Sequence, residues 1–120
     1  MPKQFKIPGP TEHQIQSSLV QHLHARTRSG VFWFGIGNGG KRDAVAGAFL
    51  KKEGVRAGVP DMCFVINGVA HFLELKESGG RLSEHQELLK EEIESSGAVW
   101  DVAVGLDQAL DRLKGWGALK

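Results

Sequence analysis

The chain has 120 residues, of which 41% are hydrophobic and 24% are charged. This is the length of one ordinary domain and the composition of a globular protein, which excludes a multi-domain assembly and a wholly disordered chain. With 15 Lys and Arg against 14 Asp and Glu, the formal net charge of +1 on its own argues against a strongly basic nucleic-acid-binding protein.

Hydrophobic periodicity, aromatic runs, capping patterns and glycine breaks predict eight elements in chain order. They are helices at about 12–27 and 44–53, strands at 31–34, 62–66 and 69–76, a helix at about 84–96, a strand at 98–104 and a helix at 107–114. We expect residues 1–10 to form a flexible arm and residues 11–120 to form a single domain. The order α-β-α-β-β-α-β-α predicts an α/β fold with a central mixed sheet flanked by helices. On the third helix, we expect Leu88, Leu89 and Ile93 to face inward.

The second and third strands are joined by Asn67-Gly68, the strongest short hairpin signal in the chain. Asp61 lies six residues before Asn67, and Glu74 lies six residues after Gly68, so a two-residue turn in plain register places the two carboxylates opposite each other or nearly so. Opposed carboxylates repel, and a hard divalent cation with oxygen ligands can hold them. Lys76 shares a strand face with Glu74. A Pro-Asp turn, and an ion pair at a solvated strand end, remain the open alternatives.

The charge is unevenly distributed along the chain. Residues 1–60 carry nine Lys and Arg against three Asp and Glu, whereas residues 61–120 carry six against eleven. A basic side can attract a polyanion although the whole chain is nearly neutral, and flexible glycines let backbone amides approach phosphates. A solvated charged helix end is the alternative. The candidate nucleic-acid-binding residues are Asn38, Lys41, Arg42, Lys51, Lys52 and Arg56.

Cysteine usage and hydropathy bear on the compartment. Cys63 is the only cysteine, which excludes an intramolecular disulfide and a cysteine-rich zinc site. No apolar run approaches the roughly 20 residues that span a bilayer, and the first ten residues do not have the pattern of a signal peptide. We expect no membrane partner and a reducing compartment, such as the cytoplasm of a bacterial or phage-infected cell or its equivalent.

Pro60-Asp61, followed across the hairpin by Glu74-Leu75-Lys76, resembles the signature of the PD-(D/E)xK nuclease superfamily. Nearly the whole chain resembles the VRR-NUC family, the virus-type replication–repair nucleases. The residues that carry this resemblance are Glu12, 38–42, 58–61, Glu74 with Lys76, and Ser83 with Gln86. Met62, where a leucine often follows the Pro-Asp pair, is a conservative departure. The resemblance implies a restriction-endonuclease-like core.

The resemblance also implies an activity, a metal-dependent and structure-selective DNA endonuclease with Mg²⁺ or Mn²⁺ as cofactor. The implied substrate is branched DNA such as a four-way junction or a flap. Because the chain is short, we expect a homodimer that presents two sites. The apolar tail at 115–119 is either a cover for the core or a dimer contact. A non-catalytic nucleic-acid-binding module with the same fold is the alternative function, and a domain whose carboxylates only form ion pairs is a third.

The same resemblance implies a role for each site residue. The implied metal ligands are the side chains of Asp61, Glu74 and Glu12 and the backbone carbonyl of Leu75. Lys76 would orient or activate the attacking water, and Gln86 would position Lys76 or the phosphate. Together Asp61, Glu74, Lys76, Gln86 and Glu12 form the expected catalytic set.

Overall fold

The computed structural model describes residues 8–37 and 44–120, so most of the arm predicted at 1–10 lies outside the described residues. The elements in chain order are α1 (Glu12–Arg26), β1 (Val31–Gly35), α2 (Ala44–Lys52), β2 (Met62–Ile66), β3 (Val69–Lys76), α3 (Glu84–Ser95), β4 (Val99–Val104) and α4 (Gly105–Gly115). The predicted order and the α/β class are confirmed. Of the helices in the described part of the chain, none combines the length and the apolarity that a membrane crossing requires.

The strands form one mixed sheet in the order β1-β2-β3-β4. β1 with β2 and β2 with β3 are antiparallel, whereas β3 and β4 are parallel because α3 carries the chain back between them. Asn67 and Gly68 both have positive φ angles, 52° and 77°, as a type I′ hairpin turn requires. This turn fixes the β2–β3 register, in which Met62 pairs with Leu73.

One face of the sheet, the packed face, is covered by α1 and α4, which contact each other and β3. Ile15, Leu19 and Leu23 recur every four residues on α1 and are all buried, because that spacing places them on one side of the helix. They meet the buried side chains that point to this face from the strands and from α4. Those side chains are Met62, Phe64, Ile66, Leu73, Leu75, Ala103, Ala109 and Leu113.

The opposite face of the sheet, the open face, is only partly covered. α3 contacts β4, and its Leu89 is buried, but Leu88 is 61% exposed, so the expectation that Leu88 faces inward is wrong. Successive helical residues are about 100° apart, so a helix that turns Leu89 and Ile93 inward presents Leu88 to its side. The β1 part of the open face carries exposed aromatic rings.

The carboxyl-terminal tail packs on its own chain. Ala118 and Leu119 are buried, and the Arg28 N–H donates to the Ala118 carbonyl at 2.9 Å. The Lys120 N–H donates in turn to the Arg26 carbonyl at 2.9 Å. Of the two interpretations of this tail, the structure therefore supports a cover for the core, because Ala118 and Leu119 are buried against their own chain.

Candidate active site

The β2–β3 register brings Asp61 and Glu74 together. One position beyond the Met62–Leu73 pair, the ladder places Asp61 opposite Glu74. The Leu75 N–H donates to Asp61 Oδ2 at 2.7 Å, and the carboxyl groups of Asp61 and Glu74 lie within hydrogen-bonding reach of each other. Asp61 is thus tied to the neighbouring strand and is more than a turn residue.

Glu74 is only 2% exposed, although it carries a titratable group. Burial of the side chain, and then the negative charge and hydrogen bond of Asp61, raise the pKa of Glu74 to about 9. The charge of Glu12 acts in the same direction, and the positive charge of Lys76 opposes them. The positive charge of Lys76 does not compensate the two neighbouring carboxyl groups, and a bound cation would reduce the repulsion between them.

Lys76 is also buried, with 7% of its surface exposed. It lies two residues after Glu74 on the same face of β3, and its charge acts on the Glu74 carboxyl group. Within residues 8–37 and 44–120, its ammonium group forms no ion pair shorter than 4.0 Å. The alternative of an ion pair at a solvated strand end does not fit two side chains that are both buried.

Gln86 connects α3 to the carboxyl pair. It is the third residue of the capping box of α3, where its Oε1 accepts from the Ser83 N–H at 2.9 Å. Its Nε2 donates to Glu74 Oε1 at 3.1 Å. The cap therefore fixes the orientation of the Gln86 amide. The contact is with Glu74, whereas the resemblance implied that Gln86 would position Lys76 or the phosphate.

Gly58 lets the segment before Asp61 approach α3 closely. It has a φ of +84°, and a Cβ there would lie 2.6 Å from the His85 carbonyl carbon and 2.9 Å from the Gln86 nitrogen. Both of these are backbone atoms, which cannot move aside as a flexible side chain can. Sequence reasoning placed Gly58 in a motif but missed this packing role, and a glycine two residues before Pro60-Asp61 was the available signal.

Glu12 reaches the site from the first turn of α1. It lines a cleft of about 740 Å³ together with Gln16, Ile36 and Asp61, and the Ile36 N–H donates to the Asp61 carbonyl at 2.8 Å. Among the residues that the structure describes, no group of three or more His, Cys, Asp or Glu side chains is arranged to hold a metal ion. Glu12 thus shares the cleft with Asp61 and influences Glu74 without completing a three-carboxylate cluster.

The Asp61–Glu74 pair fits a hard divalent cation. Carboxylate oxygens are the ligands that Mg²⁺ and Mn²⁺ prefer, and a double positive charge would compensate both carboxyl groups in a buried place. One oxygen of each group is already held, Asp61 Oδ2 by the Leu75 N–H and Glu74 Oε1 by Gln86. The second oxygens remain for each other or for a cation. The carbonyl of Leu75 as a ligand stays a prediction.

The candidate nucleic-acid-binding residues are placed in part. Lys51 and Lys52 are exposed in the last turn of α2. Arg56 is exposed and forms a bidentate ion pair with Glu92 of α3, with Nη1–Oε1 at 2.9 Å and Nη2–Oε2 at 2.6 Å. A phosphate that binds Arg56 would therefore compete with Glu92. The predicted contributions of Asn38, Lys41 and Arg42 lie outside the described residues.

The fold is similar to that of two solved structures. A VRR_NUC domain protein superposes with a TM-score of 0.72 and 20% sequence identity, over 90% of this chain and 88% of that chain. A VRR_NUC domain superposes with a TM-score of 0.58 and 20% identity, over 89% of this chain and 97% of that chain. No protein-family model and no curated protein matches the sequence. The likeness confirms the restriction-endonuclease-like fold that the motifs implied.

Proposed function

We propose that this chain, which has the fold of VRR_NUC-domain proteins, is a metal-dependent DNA endonuclease of the VRR-NUC family. Its proposed reaction is hydrolysis of phosphodiester bonds in branched DNA such as a four-way junction or a flap. The observation that carries the proposal is the meeting of Asp61 and Glu74 at the end of the hairpin, with Lys76 from the same strand and Gln86 from α3. This is the set of groups that the nuclease signature places in one site.

Phosphodiester hydrolysis needs a nucleophilic water, relief of charge on the non-bridging oxygens and a stabilised leaving oxygen. Mg²⁺ or Mn²⁺, when bound, would supply a Lewis acid and lower the pKa of a water. Asp61 and Glu74 would hold the cation, and Glu12 and the Leu75 carbonyl are the further expected ligands. The Leu75 N–H and Gln86 fix the two carboxyl groups before substrate arrives, which lowers the cost of reorganisation.

Lys76 would act on the phosphate itself. Its ammonium group is held in a buried environment next to Glu74, where a positive charge stabilises a developing negative charge more strongly than it would in water. Lys76 would also orient the attacking water. Of the proposed site residues, Lys76 would therefore stabilise the transition state most directly.

Recognition of DNA would rest on backbone charge and on shape, because a domain of this size leaves little room for a separate base-reading element. Lys51 and Lys52 offer exposed positive charge for phosphate contacts. A symmetric homodimer would present two such sites to a four-way junction. A monomer at micromolar concentration in sedimentation equilibrium, with junctions still cut, would remove the dimer from this proposal.

A cleavage assay tests the proposed function. Labelled linear, flap and four-way DNA are incubated with Mg²⁺, Mn²⁺ or EDTA, and wild type is compared with Asp61→Asn and Lys76→Met. Asp111→Asn and Lys114→Met on the exposed side of α4 make the same chemical changes away from the site. We expect metal-dependent cutting of the branched substrates, a loss of about 100-fold or more in each site variant and less than about twofold in each control.

Other outcomes of this assay would contradict the proposal. Cleavage that survives both site substitutions would defeat the site assignment. DNA that is bound but not cut with either metal would instead support the non-catalytic binding module. A chain with no affinity for DNA even at low salt, where phosphate binding is strongest, would contradict both functions.

A further inference from the structure

The open face of the sheet carries a pair of exposed aromatic rings. Phe32 is 64% exposed and Phe34 is 42% exposed, and their ring centroids lie 5.7 Å apart with an angle of 40° between the planes. They alternate on the edge strand β1 with Trp33, which packs against the core on the other face. Two neighbouring exposed phenylalanine rings form an apolar patch on the surface, and such patches often mark a binding site.

Strand register places these rings on the same face of the sheet as the carboxylate site. Phe34 pairs with Cys63 of β2, Cys63 pairs with Phe72 of β3, and Glu74 follows Phe72 by two residues on the same face. Two strand spacings of about 4.8 Å and two residues of about 3.3 Å separate Phe34 from Glu74 by roughly 12 Å. At about 3.4 Å for each stacked nucleotide, this distance corresponds to three or four nucleotides.

The charge of this region suits a polyanion. Neither β1 nor β2 contains an acidic residue, and Arg28 is exposed just before β1. A DNA strand that runs from Glu74 across the open face towards Phe32 would therefore meet no carboxylate on these two strands.

The patch is small for a contact between two copies of the chain. Each phenylalanine side chain can bury roughly 200 Å². A stable dimer buries about 800 Å² on each partner, which two partly exposed rings and their half-buried neighbours do not supply. Stacking on a nucleobase needs only one ring for each base and tolerates any base, since every base has a π-face.

We propose that Phe34 and Phe32 stack on unpaired nucleobases of the substrate strand, roughly three to five nucleotides from the phosphate that is cut, because Phe32 lies two residues further from Glu74 along the strands than Phe34 does. The inference rests on the proposed function, because it takes Asp61 and Glu74 as the place where that phosphate is held. Bases inside a duplex already stack on each other, whereas the single strand of a flap exposes unpaired bases. The rings would thus contribute to a preference for flaps without reading sequence.

Binding of a single strand in EDTA tests this role separately from cleavage. Fluorescence anisotropy with labelled oligo(dT), and with a duplex of equal phosphate number, compares the wild-type chain with Phe32→Leu, Phe34→Leu and the double variant. Phe49→Leu is the matched control, because Phe49 is 66% exposed but lies on α2. We expect about a fivefold loss of oligo(dT) affinity for each ring that is removed. The duplex and the Phe49 control should change less than about twofold.

Three outcomes would overturn the inference. They are an unchanged affinity for oligo(dT), an equal loss for the single strand and the duplex, and a wild-type dimer that the double variant converts to a monomer in sedimentation equilibrium. The last outcome would identify the patch as a contact between copies. If the wild-type chain cuts no DNA but each phenylalanine variant loses oligo(dT) affinity, the proposed function alone is refuted. If the wild-type chain cuts flaps but the phenylalanine variants bind oligo(dT) as tightly as wild type, this inference alone is refuted.

Discussion

Gln86 donates through Nε2 to Glu74 Oε1 at 3.1 Å, while its Oε1 accepts from the Ser83 N–H at 2.9 Å. One side chain therefore caps α3 and supports a buried carboxyl group of β3. A helix cap ordinarily stabilises only its own helix. Here the start of α3 is coupled to the end of the hairpin, so a change in the cap is transmitted to the carboxylate site.

Separating the two contacts of Gln86 gives a first prediction. Ser83→Ala removes one cap bond and should lower the free energy of unfolding by about 1 kcal/mol with cleavage within about twofold of wild type. Gln86→Ala removes the cap bond and the support of Glu74, so we expect a similar loss of stability but about a tenfold slower cleavage. Urea unfolding and single-turnover cleavage measure the two effects. Equal cleavage losses in both variants would mean that Gln86 acts only through its helix.

The parts of the site that local sequence determines were predictable. A two-residue Asn67-Gly68 turn fixes the register by itself, and the register alone sets Asp61 opposite Glu74. Two capping boxes are likewise local, since each joins residues three positions apart. Thr11 forms one with Gln14 and Ser83 forms the other with Gln86, and both are present in the structure.

Contacts between distant segments could not be predicted in the same way. The pair of Arg56 and Glu92 joins residues 36 positions apart, and the approach of Gly58 to His85 depends on how a loop meets a helix. The inward expectation for Leu88 failed for a related reason. Two adjacent leucines on a helix cannot both face a narrow contact, and the sequence does not say which one does.

The close approach of Gly58 to α3 gives a second prediction. Gly58→Ala would place a Cβ 2.6 Å from the His85 carbonyl carbon at a φ of +84°. Gly54→Ala is the matched control, because Gly54 has a φ of +91° but nothing within 4 Å of the added atom. We expect about 1 kcal/mol of destabilisation in the control and more than about 2 kcal/mol at Gly58. At a temperature where both variants are folded, cleavage should fall only in Gly58→Ala.

Two causes could destabilise Gly58→Ala, namely backbone strain at a positive φ and the steric contact of the added Cβ with α3. Thermal unfolding, and cleavage measured at equal folded fractions, distinguish them. Strain of the backbone alone would affect Gly58→Ala and Gly54→Ala equally. Equal stability and equal cleavage in the two variants would therefore contradict the packing role of Gly58, because only Gly58 contacts the backbone of α3.

The Arg56–Glu92 pair gives a third prediction, on DNA affinity. If Arg56 contacts phosphate, Glu92→Gln should strengthen DNA binding, because it removes the carboxylate that competes for the guanidinium group. The slope of log K against log salt should become steeper by about 0.9, the value for one added phosphate contact on duplex DNA. Adding Arg56→Gln to Glu92→Gln should reverse both the gain in affinity and the steeper slope, because it removes the guanidinium group that makes the added contact. Fluorescence anisotropy over a salt series measures both changes.

Glu94→Gln on the same helix is the control for the change in net charge. Glu94 is exposed and pairs with Lys90 at 3.8 Å, so its neutralisation removes an equal charge without releasing Arg56. An identical rise in affinity for Glu92→Gln and Glu94→Gln would show that general electrostatics explains the effect. Arg56 would then lose its place among the nucleic-acid-binding residues.

Burial of Glu74 gives a fourth prediction, on the pH dependence of stability. Its pKa rises from an ordinary value of 4.5 to about 9 on folding, so the folded chain binds more protons than the unfolded chain between these values. The contribution of Glu74 to stability is therefore complete below about pH 4.5 and is lost as the pH rises towards 9. In EDTA, the free energy of unfolding from urea titrations should fall across this range relative to that of Glu74→Gln.

Glu74→Gln keeps the acceptor for Gln86 but cannot ionise, so its stability should vary less over the same pH range. Mg²⁺ or Mn²⁺ at pH 8.5 should raise the free energy of unfolding of wild type, because a cation that binds the ionised carboxyl groups stabilises only the folded chain. Glu74→Gln should gain less from either metal. Parallel pH profiles for the two proteins in EDTA would contradict the raised pKa, and an equal gain from metal would contradict Glu74 as a ligand.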